Sequence, residues 1–157
     1  MAFAIASRPK QDVAPVDASG ATPAALAEIP HSWLLRYQHA VAAECPGLPW
    51  AVLAGLGKVE SDHGVNSGVS SAGALGPMQF LPSTWQHFAV DADRHGHADI
   101  YDPDDATYTA ARYLCASGAG RPDGVRDALF QYNHADWYVD EVLAAARRYG
   151  PLPAGLR

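Results

Sequence analysis

The sequence predicts an all-α domain, and three observations carry that prediction. From Pro30 onward apolar residues recur at helical spacing, no run of alternating β-branched residues bounded by hairpin turns occurs, and proline and glycine stand where helices start and stop. The length of 157 residues suits one domain with its own hydrophobic core. With 48% apolar and 18% charged residues, the composition excludes collagen-like, coiled-coil and wholly disordered classes.

Taken in order, residues 1–30 are rich in Ala, Pro, Asp and Ser, show no sustained period, and read as a flexible N-terminal segment. The folded domain is expected over 31–150, with a short tail at 151–157. His31 to Glu44 carries Trp33, Leu34, Tyr37 and Val41 at helical spacing and stops before Cys45-Pro46-Gly47. Pro49 opens a second helix in the run WAVLAGLGKVESDHG, with proline in the first turn and Gly64 just past the end. Residues 64–77, GVNSGVSSAGALGP, form a loop that must change direction repeatedly. Ser83 is expected to cap a short helix through Phe88, Asp102 or Asp104 the next through Leu114, and Asp123 one over GVRDALFQYN. The last helix is expected from about Ala135 to Tyr149.

Lys and Arg total 11 against 17 Asp and Glu, a net charge of −6, which leaves no basic stripe to displace phosphate counterions and excludes a nucleic-acid partner. No stretch approaches the roughly 20 apolar residues of a membrane-spanning helix. Met1 to Ala6 is too short, and lacks the leading positive charge, for a signal peptide. The two cysteines, Cys45 and Cys115, match neither zinc-ligand nor CxxC redox spacing. The residues alone leave two readings, a pair of free buried thiols or one bridge.

One carboxylate stands in the wrong place. With Leu56 as reference on the second helix, Val52, Leu53, Val59 and Glu60 all fall within about 60° of it, while Lys58, Ser61 and Asp62 fall outside. Glu60 therefore lies in the apolar arc. Burial there raises its pKa toward the range of a general acid, unless it is simply a helix-end carboxylate bonded to the following loop. Glu28, Glu44 and Glu141, the other glutamates, sit in the N-terminal segment or on polar flanks.

Three blocks surround this residue in order: Glu60-Ser61, then Ser70-Ser71-Ala72-Gly73-Ala74-Leu75-Gly76-Pro77-Met78-Gln79-Phe80, then Gln131-Tyr132-Asn133. Together they resemble the lytic transglycosylase (SLT) domain of the lysozyme-like superfamily, in glycoside hydrolase family 23 with goose-type lysozymes. Pro77 replaces the usual Leu, Gln131 the usual Ala, and Asp136 stands where Gly is common; GPMQF and YNHADWYV resemble the secreted actinobacterial and phage branch. A cysteine pair recurs there, which implies a Cys45–Cys115 disulfide.

The resemblance implies a lysozyme-like helical fold, with peptidoglycan glycan strands as substrate and Glu60 as sole catalytic carboxylate. Glu60 would protonate the oxygen between N-acetylmuramic acid and N-acetylglucosamine, then deprotonate the muramoyl C6 hydroxyl to close a 1,6-anhydro ring. Ser70, Met78, Gln79, Phe80, Tyr132, Asn133 and Tyr138 would form the substrate site. No cofactor is required. The resemblance implies an extracellular or cell-wall location, and an exposed cleft suits a monomer. Two other readings remain at this point: a lysozyme that uses water as acceptor, and a non-catalytic wall-binding module.

A second constellation, Asp91 to Asp102, places acids at positions 1, 3, 9 and 12 and Gly at 6 of a calcium loop. Two readings stay open, a Ca²⁺ site at Asp91, Asp93, Asp99 and Asp102 or a solvated, vestigial loop, since His95 and Ala98 depart from the pattern and Asp102 reaches less far than the usual Glu. His95 and His97 also form an H-x-H pair, but nothing upstream supplies a third zinc ligand at diagnostic spacing.

Overall fold

The computed structural model describes residues 20–157. Among the described residues seven α-helices follow one another: α1 Pro23–Glu28, α2 His31–Glu44, α3 Trp50–Ser61, α4 Pro82–Phe88, α5 Pro103–Ala116, α6 Val125–Tyr132 and α7 Asp136–Tyr149. Among the described residues the only β pairing is a single antiparallel bridge between Leu75 and Phe80.

Helix α3 is the centre of the molecule. Every residue from Ala51 to Gly57 is buried, so it reads as a core helix rather than an amphipathic one. It packs most extensively on α7, and α2 bridges α3 and α5. Two glycines set these distances. A Cβ on Gly55 would lie 2.4 Å from the Val142 carbonyl oxygen of α7, and one on Gly57 would lie 2.0 Å from the Tyr37 hydroxyl of α2.

Four expectations change. Residues 20–30 are not a tether: Thr22 Oγ1 accepts from Ala25 N at 3.1 Å to cap α1, and Ala25 and Ile29 are buried. Thr22 N also donates to the Tyr149 carbonyl, which docks α1 on the end of α7; the remainder of the expected segment, 1–19, lies outside the described residues. The 151–157 tail is packed, because Leu152 and Leu156 are buried and Arg147 donates to the Leu156 carbonyl at 3.1 Å. Ser83 does not cap α4, which starts one residue earlier at Pro82, a residue suited to a first turn where the N–H has no partner. Asp123 sits inside a 3₁₀ turn, Pro122–Gly124, that leads into α6. The Asp102 expectation holds: its carboxylate accepts from Asp104 N at 2.8 Å and Asp105 N at 3.0 Å and caps α5.

Cys45, at the C-terminus of α2, is bonded to Cys115 in the last turn of α5, with Cα atoms 5.3 Å apart.

Candidate active site

Glu60 occupies the last turn of α3, half-buried. The helix stops because the backbone turns left-handed for three successive residues, Asp62, His63 and Gly64, with φ of 52°, 54° and 86°. His63 N donates to the Gly57 carbonyl at 3.1 Å and Asp62 N to the Lys58 carbonyl at 3.0 Å, closing the end of the helix. The Ser61 hydroxyl oxygen accepts from Gly64 N at 2.8 Å.

Across from Glu60 stands Tyr138, in the first turn of α7, whose hydroxyl donates to Glu60 Oε1. Burial pushes the Glu60 carboxyl up from 4.5 to about 7, and the Tyr138 hydrogen bond, which favours the ionised form, pulls the other way without prevailing. Burial also holds Tyr138 well above its usual pKa, and the nearby Glu60 charge adds to this, so the phenol remains a donor. Asp62 is engaged elsewhere. Two residues on, it pairs with Lys58 Nζ at 2.5 Å, and that hydrogen bond holds its pKa below the usual value.

The 64–80 segment forms the adjoining wall. Gln79 takes a left-handed backbone (φ 51°), and its amide nitrogen donates to the carbonyls of Gly68 and Gly76, each at 2.9 Å. Gln79 therefore clamps both ends of the loop. Ser70 Oγ accepts from Ala74 N at 2.9 Å, which turns the chain. Tyr132 donates to the Met78 carbonyl at 2.7 Å, and its ring packs on Phe80, centroids 5.5 Å apart. Met78 and Phe80 are themselves core, 0% and 3% exposed, so they support the wall and do not offer contact surface. Asn133 is exposed just beyond α6 and does not cap α7, whose N-cap is Ala135.

The acidic loop differs from expectation. Asp91 and Asp93 converge with Asp105, not with Asp99 and Asp102, and the three offer carboxylate oxygens within 4.8 Å of one another. Asp102 is occupied as the α5 cap, and Asp99 Oδ1 accepts from Tyr101 N. Asp105 is buried and accepts from Ala92 N at 2.7 Å and Asp99 N at 2.8 Å, tying the loop to α5. Asp91 accepts from His95 N and Gly96 N, and Asp93 from His95 N.

Sequence reasoning missed three residues here. Asp105 lies beyond a twelve-residue template, and only its place one turn into α5 signals its role. Trp137 is 62% exposed with its ring edge-on to Tyr138, centroids 6.1 Å apart; a tryptophan beside Tyr138 at a helix start was the available signal. His63 is buried, and nothing in its local sequence marks it.

Residues 53–126 match the family described as "Transglycosylase SLT domain". The membrane-bound lytic murein transglycosylase B of Escherichia coli K12 is 39% identical over 70 residues, covering 45% of this chain and 19% of that protein. This chain thus spans about a fifth of that relative's length. The fold matches the E. coli lytic transglycosylase SLT35, known in complexes with bulgecin A and with calcium, at a TM-score of 0.62 and 16% identity, over 80% of this chain and 76% of that one. It also matches SltB3 of Pseudomonas aeruginosa, solved with NAG-anhNAM-pentapeptide, at a TM-score of 0.57 and 17% identity, over 86% of this chain and 71% of that one. The all-helical body around Glu60 thus has the lysozyme-like fold of the lytic transglycosylases, and residues 53–126 within it are similar to the transglycosylase SLT domain.

Proposed function

We propose that this protein is a peptidoglycan lytic transglycosylase in which Glu60 acts alone. The observation that carries this reading is the half-buried Glu60 carboxyl, raised to about 7 and held by the Tyr138 hydroxyl. Ordinary glycoside hydrolysis divides its work between two carboxyl groups. Asp62 is ionised and turned to Lys58, and Asp136 is exposed at the start of α7, so the reading that asks for one carboxyl fits best.

Protonated Glu60 gives its proton to the oxygen linking N-acetylmuramic acid to N-acetylglucosamine, and the C1–O bond breaks. The muramoyl N-acetyl group stabilises the developing cation. Glu60, now a carboxylate, takes the proton of the muramoyl C6 hydroxyl as O6 bonds to C1. The 1,6-anhydro ring closes, no water is consumed, and Glu60 is restored for the next turnover. Tyr138 aims the carboxyl, Gln79 and Ser70 hold the wall, and Asn133 and the exposed Trp137 offer an amide and an apolar face to the sugars.

Asp91, Asp93 and Asp105 have the oxygen chemistry of a hard-cation site, and the calcium complex of SLT35 supports that assignment. A bound Ca²⁺ would tie the acidic loop to α5 and takes no part in bond cleavage. The disulfide supports an oxidising location, at the cell wall.

Digesting purified peptidoglycan with the wild type and with Glu60→Gln, then weighing the products, tests the reading. Muropeptides lighter by one water than the reducing form, absent with the variant, are expected. Water-added products that depend on Glu60 would make it a lysozyme, and no soluble product at all would make it a binding module.

A further inference from the structure

His63 is the third residue after Glu60, and nothing in the proposed chemistry uses it. It is 3% exposed and holds a left-handed backbone that a glycine would adopt at less cost. Its ring lies between two tyrosines: Nδ1 is 2.8 Å from Tyr37 Oη on α2, and Nε2 is 3.4 Å from Tyr149 Oη on α7. Tyr149 donates its own proton to Glu28 Oε2 of α1 at 3.1 Å, and Glu28 also pairs with Arg148.

That last bond fixes the direction of the others. Tyr149 spends its proton on Glu28, so its oxygen accepts from His63 Nε2–H. Nδ1 is then left to accept from the Tyr37 hydroxyl. The chain runs Tyr37 to His63 to Tyr149 to the Glu28 carboxylate, with a neutral imidazole of one defined tautomer. Burial supports this by depressing the His63 pKa to about 4; Lys58 adds to the depression, while Asp62 and Glu28 oppose it.

The glycines confirm that the approach is built in. Only the missing side chain of Gly57 lets the Tyr37 hydroxyl reach α3, and a Cβ on Gly64 would lie 2.5 Å from the Trp33 ring. Helices α2 and α7 thus meet the turn that ends α3 at one side chain, and α1 is joined to it through Tyr149.

We propose that His63 is a positioning residue: by bridging Tyr37 and Tyr149 from a left-handed backbone, it fixes the turn that ends α3 and so sets the aim of the Glu60 carboxyl. The proposal rests on Glu60 being the acid of the reaction, as argued above.

The test compares the wild type with His63→Leu and His63→Gln, assayed where each is folded. For His63→Leu, kcat on peptidoglycan is expected to fall on the order of 100-fold, the cost of a misplacement of about 1 Å. KM is expected to stay unchanged, and the Gln variant, which keeps a donor and an acceptor, to recover part of the loss. Carboxyl ¹³C NMR of Glu60 gives a readout that needs no substrate: its titration should move from about 7 toward an ordinary value as water enters the loosened turn. A variant that melts earlier but keeps both kcat and the Glu60 titration would overturn the proposal. If His63→Leu does not fold, Tyr149→Phe decides, since it deletes one hydroxyl remote from Glu60; an unchanged Glu60 titration there counts against the proposal. Wild-type products that contain added water would sink the transglycosylase reading while leaving the NMR result to judge His63.

Discussion

At the Glu60 carboxyl two effects of opposite sign meet. Burial favours the protonated form and the Tyr138 hydroxyl favours the ionised one, and the balance lands at about 7. In the proposed reaction the group enters protonated, so activity is expected to fall as pH rises through about 7, which a pH–rate profile of kcat will show. Tyr138→Phe removes the influence that lowers the pKa, so that alkaline limb should move to higher pH. The same variant should lose activity on the order of 10-fold, the worth of a hydrogen bond to a charged group, because the carboxyl loses its aim as well. A limb that moves to lower pH would mean that Tyr138 acts on Glu60 in some way other than donation. The sequence revealed this site in part. Glu60 was legible because a carboxylate in an apolar arc contradicts its surroundings. The partner hydroxyl was nameable only through the family resemblance, since 78 residues separate it from Glu60.

Among the elements, the helices that show a strong start signal were legible and their caps less so. Proline opens α4 and α5, and because proline tolerates the first turn it displaced Ser83 from the capping position. Helix α1 was not legible: six residues are too few to show a period, and its stability comes from docking on α7. The acidic loop was misread because a linear template counts along the chain, whereas Asp105 reaches the cluster from the first turn of α5. The contact between α3 and α2 makes a sharp prediction. Gly57→Ala puts a methyl 2.0 Å from the Tyr37 hydroxyl oxygen and 2.7 Å from its ring carbon Cζ, and should destabilise the protein by about 2–4 kcal/mol in urea unfolding. Adding Tyr37→Phe removes the nearer atom, so the double variant should lose less than the sum of the two single changes. Strict additivity would mean that the two sites do not touch.

For the molecule as a whole, two buried groups pull stability in opposite directions with pH. His63 binds its proton at about 4 in the folded state and 6.5 when free, so the unfolded state takes up the proton first and stability is lost as pH falls from 6.5 to 4. Glu60 binds at about 7 folded and 4.5 free, so stability is gained as pH falls from 7 to 4.5. Each effect is worth up to about 3 kcal/mol, and over the shared window they nearly offset. Glu60→Gln should therefore raise the melting temperature at pH 8, where the wild type keeps a buried charge. It should also expose a decline toward pH 4 that the wild type conceals; thermal melts across that range check both signs. The disulfide ties the end of α2 to the end of α5 across a separation of 70 residues. Replacing both cysteines by alanine should cost about 4 kcal/mol by loop-closure entropy, with the Glu60 titration unchanged. The close approach of α3 and α7 at Gly55 has a further mechanical meaning. The acid rides on one of these helices and its hydroxyl partner on the other, with backbone nearly touching backbone, so the pair behaves as a single strut that does not splay. In the proposed reaction the acid and the hydroxyl that aims it therefore stay in register while a glycan strand binds.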